Sequence, residues 1–94
     1  MNELQSDYLR RLRNEIAWSA LLTRLRWVHK IREGRLVFQC PRCQETLSVV
    51  NERTNLGRCF QCKVNWNPID FTIEARELDF KSAVLLLGDL LRKQ

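Results

Sequence analysis

Apolar positions along this chain change period twice. Between residues 3 and 22, Leu9, Leu12 and Ile16 recur at intervals of three and four, no Gly or Pro interrupts, and Arg10, Arg11 and Arg13 lie mainly off the stripe. That period predicts one helix over 3–22. From residue 25 the pattern is ambiguous. A helix can continue as far as Lys30, yet Trp27, His29 and Ile31 alternate, as do Leu36, Phe38 and Cys40. Gly34 supplies a turn after Glu33, and Val37 and Phe38 suit a pleated surface, so a hairpin is the better reading. A second strand–turn–strand signal follows, with its turn near Asn51 to Asn55 and Leu56 to Phe60 leading onward. Helical signals then return. Asn67 is a good N-cap and Pro68 suits the first helical position, where no N–H is needed. Asp79 caps a further helix whose buried stripe is Ala83, Val84, Leu87 and Leu91.

The cysteines decide what such a small sheet is for. All four fall between Cys40 and Cys62, as two C-x-x-C pairs separated by fifteen residues. Each pair can wrap two sulfurs around one ion, and two pairs complete a tetrahedron. This spacing is a strong zinc signal, although spacing alone also suits iron. A thioredoxin-like redox site needs a single C-x-x-C beside a βαβ pattern, which two hairpins do not supply. With Cys40, Cys43, Cys59 and Cys62 all engaged, one structural Zn²⁺ is expected and no position stays open for a catalytic water. The fold class that follows is small α+β, a zinc ribbon on an antiparallel β-sheet with flanking N- and C-terminal helices. The 94 residues are read as one domain: an N-terminal helix (1–24), the ribbon sheet (25–66) and the C-terminal helices (67–94). A chain this short builds only a modest core, and a metal staple is a common remedy.

Charge adds a partner class. The net +5 is uneven: residues 1–39 carry eight Lys/Arg against four Asp/Glu, residues 40–66 four against two, and residues 67–94 four against five. A basic excess in the first two-thirds suits a polyanion such as nucleic acid, or simply a solvated face. Four thiolates around Zn²⁺ leave a formal −2, which Arg42, Arg58 and Lys63 are near enough in sequence to offset. The opening segment has no apolar core of a signal peptide, and no run of about 18 apolar residues exists. A cytoplasmic protein that does not enter a membrane is expected, and a reducing compartment disfavours disulfides.

The order of these motifs resembles the zinc-binding domain of bacterial DnaG-type DNA primases, the CHC-type zinc-finger family. Cys40-Pro41-Arg42-Cys43 stands at the first knuckle. Glu45-Thr46-Leu47-Ser48-Val49-Val50 is similar to the family's K-T-P-S-F segment, and Cys59-Phe60-Gln61-Cys62 to its C-F-x-C. Asn67-Pro68-Ile69-Asp70-Phe71 falls where a family helix begins, and Asp79-Phe80-Lys81-Ser82-Ala83-Val84 resembles S-F-x-E-A-V. The likeness spans about residues 30–92. Here Cys43 replaces the family's usual histidine ligand, Leu47 and Val49 replace a proline and a phenylalanine, and Asn65 and Trp66 replace glycines. The resemblance implies a module that binds single-stranded DNA in DNA replication and assists a separate catalytic primase, polymerase or helicase in trans.

Cations tracking phosphates and aromatic faces stacking bases are the means by which proteins hold single strands. The cationic candidates are Arg35, Arg42, Arg53, Arg58 and Lys63. Phe60 and Trp66 are candidate stackers, Trp66 because two asparagines flank it, whereas Phe38 is expected in the core. Thr46 and Ser48 are read as ordinary strand hydroxyls. His29, the only histidine, has no nucleophile or carboxylate pair beside it and is expected as a surface or partly packed residue. Trp18 and Trp27 are expected to bury the first helix against the sheet or a partner. Nothing assembles a catalytic constellation, so the chain is read as a non-enzyme. The alternative reading is a structural zinc-ribbon adaptor that docks a protein without touching DNA.

Overall fold

The computed structural model describes residues 3–94; residues 1 and 2 of the expected N-terminal segment lie outside the described residues. Nine elements follow one another: α1 (Glu3–Asn14), α2 (Trp18–Arg24), β1 (His29–Arg32), β2 (Arg35–Phe38), β3 (Ser48–Asn51), β4 (Leu56–Cys59), β5 (Val64–Trp66), α3 (Pro68–Arg76) and α4 (Phe80–Lys93). The five strands form one antiparallel meander in the order β1-β2-β3-β4-β5. Helices flank it on both ends of the chain, as the fold class expected.

The single N-terminal helix is corrected to two. Helical pairing stops at Glu15, and Ala17 is extended, with φ −71° and ψ 125°. Neither Gly nor Pro forces this break; packing does. The bend buries Ile16 fully and lets Trp18 reach the sheet, where it stacks on Phe38 at 5.0 Å and meets the edge of Phe71 at 5.0 Å. Backbone groups freed by a break must find partners elsewhere. Two distant side chains supply them. The Asn55 amide donates to the carbonyls of Arg13 (2.8 Å) and Ile16 (2.9 Å). Gln94 accepts from the Ala17 N–H (2.7 Å) and donates to the Glu15 carbonyl (2.9 Å).

The other caps match the sequence. Asn67 Oδ1 accepts from Asp70 N at 2.8 Å with Pro68 in the first turn, and Asp79 Oδ1 accepts from Ser82 N at 2.7 Å. On α4, Ala83, Leu87 and Leu90 are buried, while Val84 and Leu91 are only partly so.

Strand alternation sorts the sheet into two unlike faces. Phe38, Ser48, Val50, Gly57, Cys59 and Trp66 point at the helices and are buried. Trp18, Trp27, Phe38 and Phe71 make an aromatic cluster there, with Trp27 set edge-on to Phe71 at 5.6 Å. Lys30, Arg32, Arg35, Val49, Arg58 and Asn65 point the other way. No described helix covers that second face.

Gly57 lies beneath the aromatic cluster. A Cβ there would come within 2.5 Å and 2.6 Å of Phe38 ring carbons, against a ring already stacked on Trp18. Gly57→Ala is therefore expected to lower stability by about 1–3 kcal/mol through overpacking. A denaturant melt checks this, with Gly34→Ala as the contrasting variant because open space surrounds Gly34, whose φ of +78° gives a purely backbone penalty.

Candidate functional site

The two C-x-x-C pairs occupy matching turns at one end of the sheet. Cys40 follows β2, and Cys59 closes β4 before the turn into β5. Each turn ends on a residue with positive φ, Gln44 at 68° and Lys63 at 59°. Such a conformation curls the backbone so that its N–H groups face a sulfur. Arg42 N donates to Cys40 Sγ at 3.4 Å, and Cys62 N donates to Cys59 Sγ at 3.3 Å. Gln44 N closes the first turn on the Cys40 carbonyl at 2.9 Å.

The four sulfurs lie within 4.8 Å of one another, with Cys40 and Cys59 buried and Cys43 and Cys62 half-buried. Cys40 Sγ is 3.9 Å from Cys62 Sγ, and Cys43 Sγ is 3.6 Å from Cys59 Sγ. A metal–sulfur bond of about 2.3 Å gives a tetrahedron with edges of about 3.8 Å. The tetrad thus fits one metal ion at its centre, and all four cysteines are free thiols.

The sulfurs differ in how readily they ionise. Burial works against ionisation of Cys40, but the backbone N–H groups of Cys43 and Arg42 outweigh it and hold this thiol below its ordinary value. Burial raises Cys59, against the opposing Cys62 N–H. Cys62 is pushed up to about 12, first by its hydrogen bond with Cys43 and then by desolvation. A cation at the centre reverses this logic by stabilising every thiolate together. Beside the tetrad, Glu45 holds the loop into β3: Leu47 N donates to its Oε2 at 2.7 Å, and the buried Ser48 hydroxyl donates to its Oε1. Ser48 is thereby a structural hydroxyl.

On the bare face lies a groove of about 650 Å³. Four of the seven expected nucleic-acid residues line it. Arg35 comes from β2, Arg53 from the β3–β4 turn, Arg58 from β4 and Phe60 from the second knuckle. Phe60 is 65% exposed, with the Arg58 guanidinium 5.7 Å from its ring centre. Among the described residues, none of Arg35, Arg53 and Arg58 is engaged in an ion pair. Val49 and Leu56 give the floor an apolar character, and Asn65, in register with Arg58, adds an amide. Lys30 and Arg32 extend the positive charge along the same face.

Of the remaining three, Trp66 is corrected from exposed to buried, and Arg42 and Lys63 lie outside the groove. Trp66 is 4% exposed and faces the helices, because Asn65 takes the outward position in β5 and the next residue inward is Trp66. It is a core residue with no free face for a base. Arg42 is engaged on that inner side, 5.1 Å over the Trp66 ring and 3.5 Å from the Glu74 carboxylate. It clamps the first knuckle to α3. Lys63 is exposed in the second knuckle and does not line the groove. Alternation within three-residue β5 was the available signal for Trp66, and the flanking asparagines masked it. Asn55, which the sequence did not single out, anchors the turn that carries Arg53: besides its amide bonds to α1 and the break, its carbonyl accepts from Trp18 Nε1 at 2.9 Å. His29 is exposed, its ring turned to the Trp27 carbonyl. Among the described residues no helix is long and apolar enough to cross a membrane.

Metal stripping gives a direct test. A ligand sulfur must lose its proton to bind, and Cys62 holds its proton to about 12 without the ion, so falling pH favours the protonated, metal-free tetrad. Competition titration with a chromophoric chelator is expected to show weaker metal binding at pH 6 than at pH 8, with one ion per chain. Stripping the ion should abolish the cooperative melt. No family model, curated protein or solved structure matches this chain.

Proposed function

We propose that this chain is a zinc-stabilised module that binds single-stranded DNA through the bare face of its sheet, in the manner of primase zinc-binding domains, and assists a separate catalytic primase or polymerase. The observation that carries this reading is the groove itself. Three arginines without ion-pair partners and one largely exposed phenylalanine converge on a sheet face that no described helix covers.

Zinc is the ion of choice because a closed set of four thiolates suits a soft, tetrahedral, redox-inert cation. Its role is structural: it fixes the knuckle bearing Phe60 to the strand bearing Arg58. The arginines supply sequence-independent attraction to phosphates, and Phe60 supplies a face for a base. Such a surface performs no chemistry of its own, so the module works beside a catalytic protein. The resemblance of the knuckles and of the Asn67 and Asp79 helix starts to primase domains supports the choice of DNA replication as the setting.

A protein-docking role is the rival reading, and salt separates the two. Single-strand binding through three phosphate contacts is expected to give a slope of about −2 in log affinity against log salt, at roughly 0.7 per neutralised phosphate. Arg35→Gln and Arg53→Gln, both exposed, should each flatten that slope by about 0.7 without changing the melt. Fluorescence anisotropy with a labelled single-stranded oligonucleotide measures it. A flat salt dependence, or equal affinity in both variants and wild type, overturns the assignment.

A further inference from the structure

The knuckle end of the bare face carries a feature that the groove reaches only at Phe60. Sheet registers can be followed one step past the strand ends. Gln39 N donates to the Val28 carbonyl at 3.0 Å, which continues the β1–β2 ladder from the His29–Phe38 pair. Trp27 packs into the core, so Val28 points to the opposite face. The same alternation places Leu47 outward, next to inward Ser48, and Phe60 outward, next to inward Cys59. The β2–β3 register sums Gln39 with Leu47, and the β3–β4 register sums Leu47 with Phe60.

Val28, Gln39, Leu47 and Phe60 therefore fall on one row across β1 to β4 on the bare face, each one step past a strand end. Three of the four, Val28, Leu47 and Phe60, are large, apolar and 59%, 45% and 65% exposed, while Gln39 between Val28 and Leu47 is half-buried. With strands about 4.8 Å apart, the row spans about 14 Å. The rows behind it, toward the turns, hold Lys30 and Arg58, then Arg32 and Arg35, with Arg53 at the end. The exposed large apolar side chains thus concentrate at the metal end and the cations toward the turn end, where Lys30 and Arg58 flank Val37 and Val49. Single-stranded nucleic acid is divided in the same sense, with bases on one side and phosphates on the other.

Building on the proposed function, we infer that a single strand crosses the β-strands with its phosphates over the arginine rows and its bases on the Val28–Leu47–Phe60 row. Val28 and Leu47 are then base-contacting residues in their own right. The arrangement demands unpaired bases, because a duplex turns its base faces inward and offers this row nothing. It also explains why the metal lies where it does: the ion holds still the turn that presents Phe60, while Glu45 holds the segment that presents Leu47.

An abasic oligomer, deoxyribose phosphate without bases, separates the two rows experimentally. Metal-loaded protein is titrated with labelled oligo-dT and with an abasic oligomer of equal length at two salt concentrations. A base held on the row is expected to favour oligo-dT by at least about fivefold. Val28→Ser and Leu47→Ser should shrink that preference while leaving abasic affinity, salt slope, metal content and the melt unchanged; both residues are exposed, so the fold does not depend on them. Equal affinity for the two oligomers, or a preference untouched in both variants, overturns the inference while a salt-dependent phosphate interaction stands; the row then belongs to a protein contact. Absence of binding to either oligomer overturns the proposed function and the inference with it.

Discussion

Four sulfurs from two turns, gathered where they could hold one metal ion, are the constraint on which the arrangement of this sheet depends. The turns are far apart in sequence, and each strand has only three or four residues. Ladders this short are weak by themselves. Cys40 and Cys59 sit fully buried within the core cluster, so an ion held there would tie the core to the knuckle end of the sheet. Structural zinc in finger peptides contributes about 10–16 kcal/mol at neutral pH, which is comparable to the whole stability of a small domain. Without a cation, the same geometry crowds four sulfurs with unlike demands for protons. The site that stabilises the loaded fold is thus unfavourable for the empty one.

From that anchor comes the asymmetry of the two faces. All the large aromatics except Phe60, Phe80 and Tyr8 gather on the helical side, where Trp18, Trp27, Phe38, Trp66 and Phe71 are buried or half-buried. Gly57 leaves room for this crowding. Residues of the opposite parity are mostly polar, although Val37 on that side is itself buried. They include Lys30, Arg32, Arg35 and Arg58 at outward positions, over a floor that includes Val37 and Val49. Solubility alone does not call for same-sign charges on adjacent strands, which repel one another.

Much of this was legible in the sequence because local chemistry wrote it. The Glu33–Gly34 turn, the Asn67 and Asp79 caps and the paired C-x-x-C knuckles each depend on residues within a few positions of one another, and each is found where expected. The errors lie where distant packing decides. An uninterrupted helical period ran through residues 15–17, but burying Ile16 and Trp18 together requires a bend, and Asn55 and Gln94, some forty and eighty residues away, make that bend tolerable. Trp66 looked exposed beside two asparagines, yet strand parity alone assigns it inward. Arg42 looked like a phosphate contact, and the Trp66 face and Glu74 carboxylate engage it instead.

Composition showed that the chain is basic; parity shows where the charge goes. Arg35, Arg53 and Arg58 come from three separate elements and share a groove only because β2, β3 and β4 are consecutive in an antiparallel meander. Val28 and Leu47 join Phe60 for the same reason, since each lies one step beyond a strand end at the metal side. Had any register slipped by one residue, the arginines would face the aromatic cluster and the core would face water. An ion bound by the cysteines would oppose such a slip at the knuckle end, and Asn55 opposes it at the turn end through its bonds to Arg13 and Ile16. Fold stability and surface chemistry are therefore not separable in this chain: the bonds that set the register also determine which side chains reach a ligand.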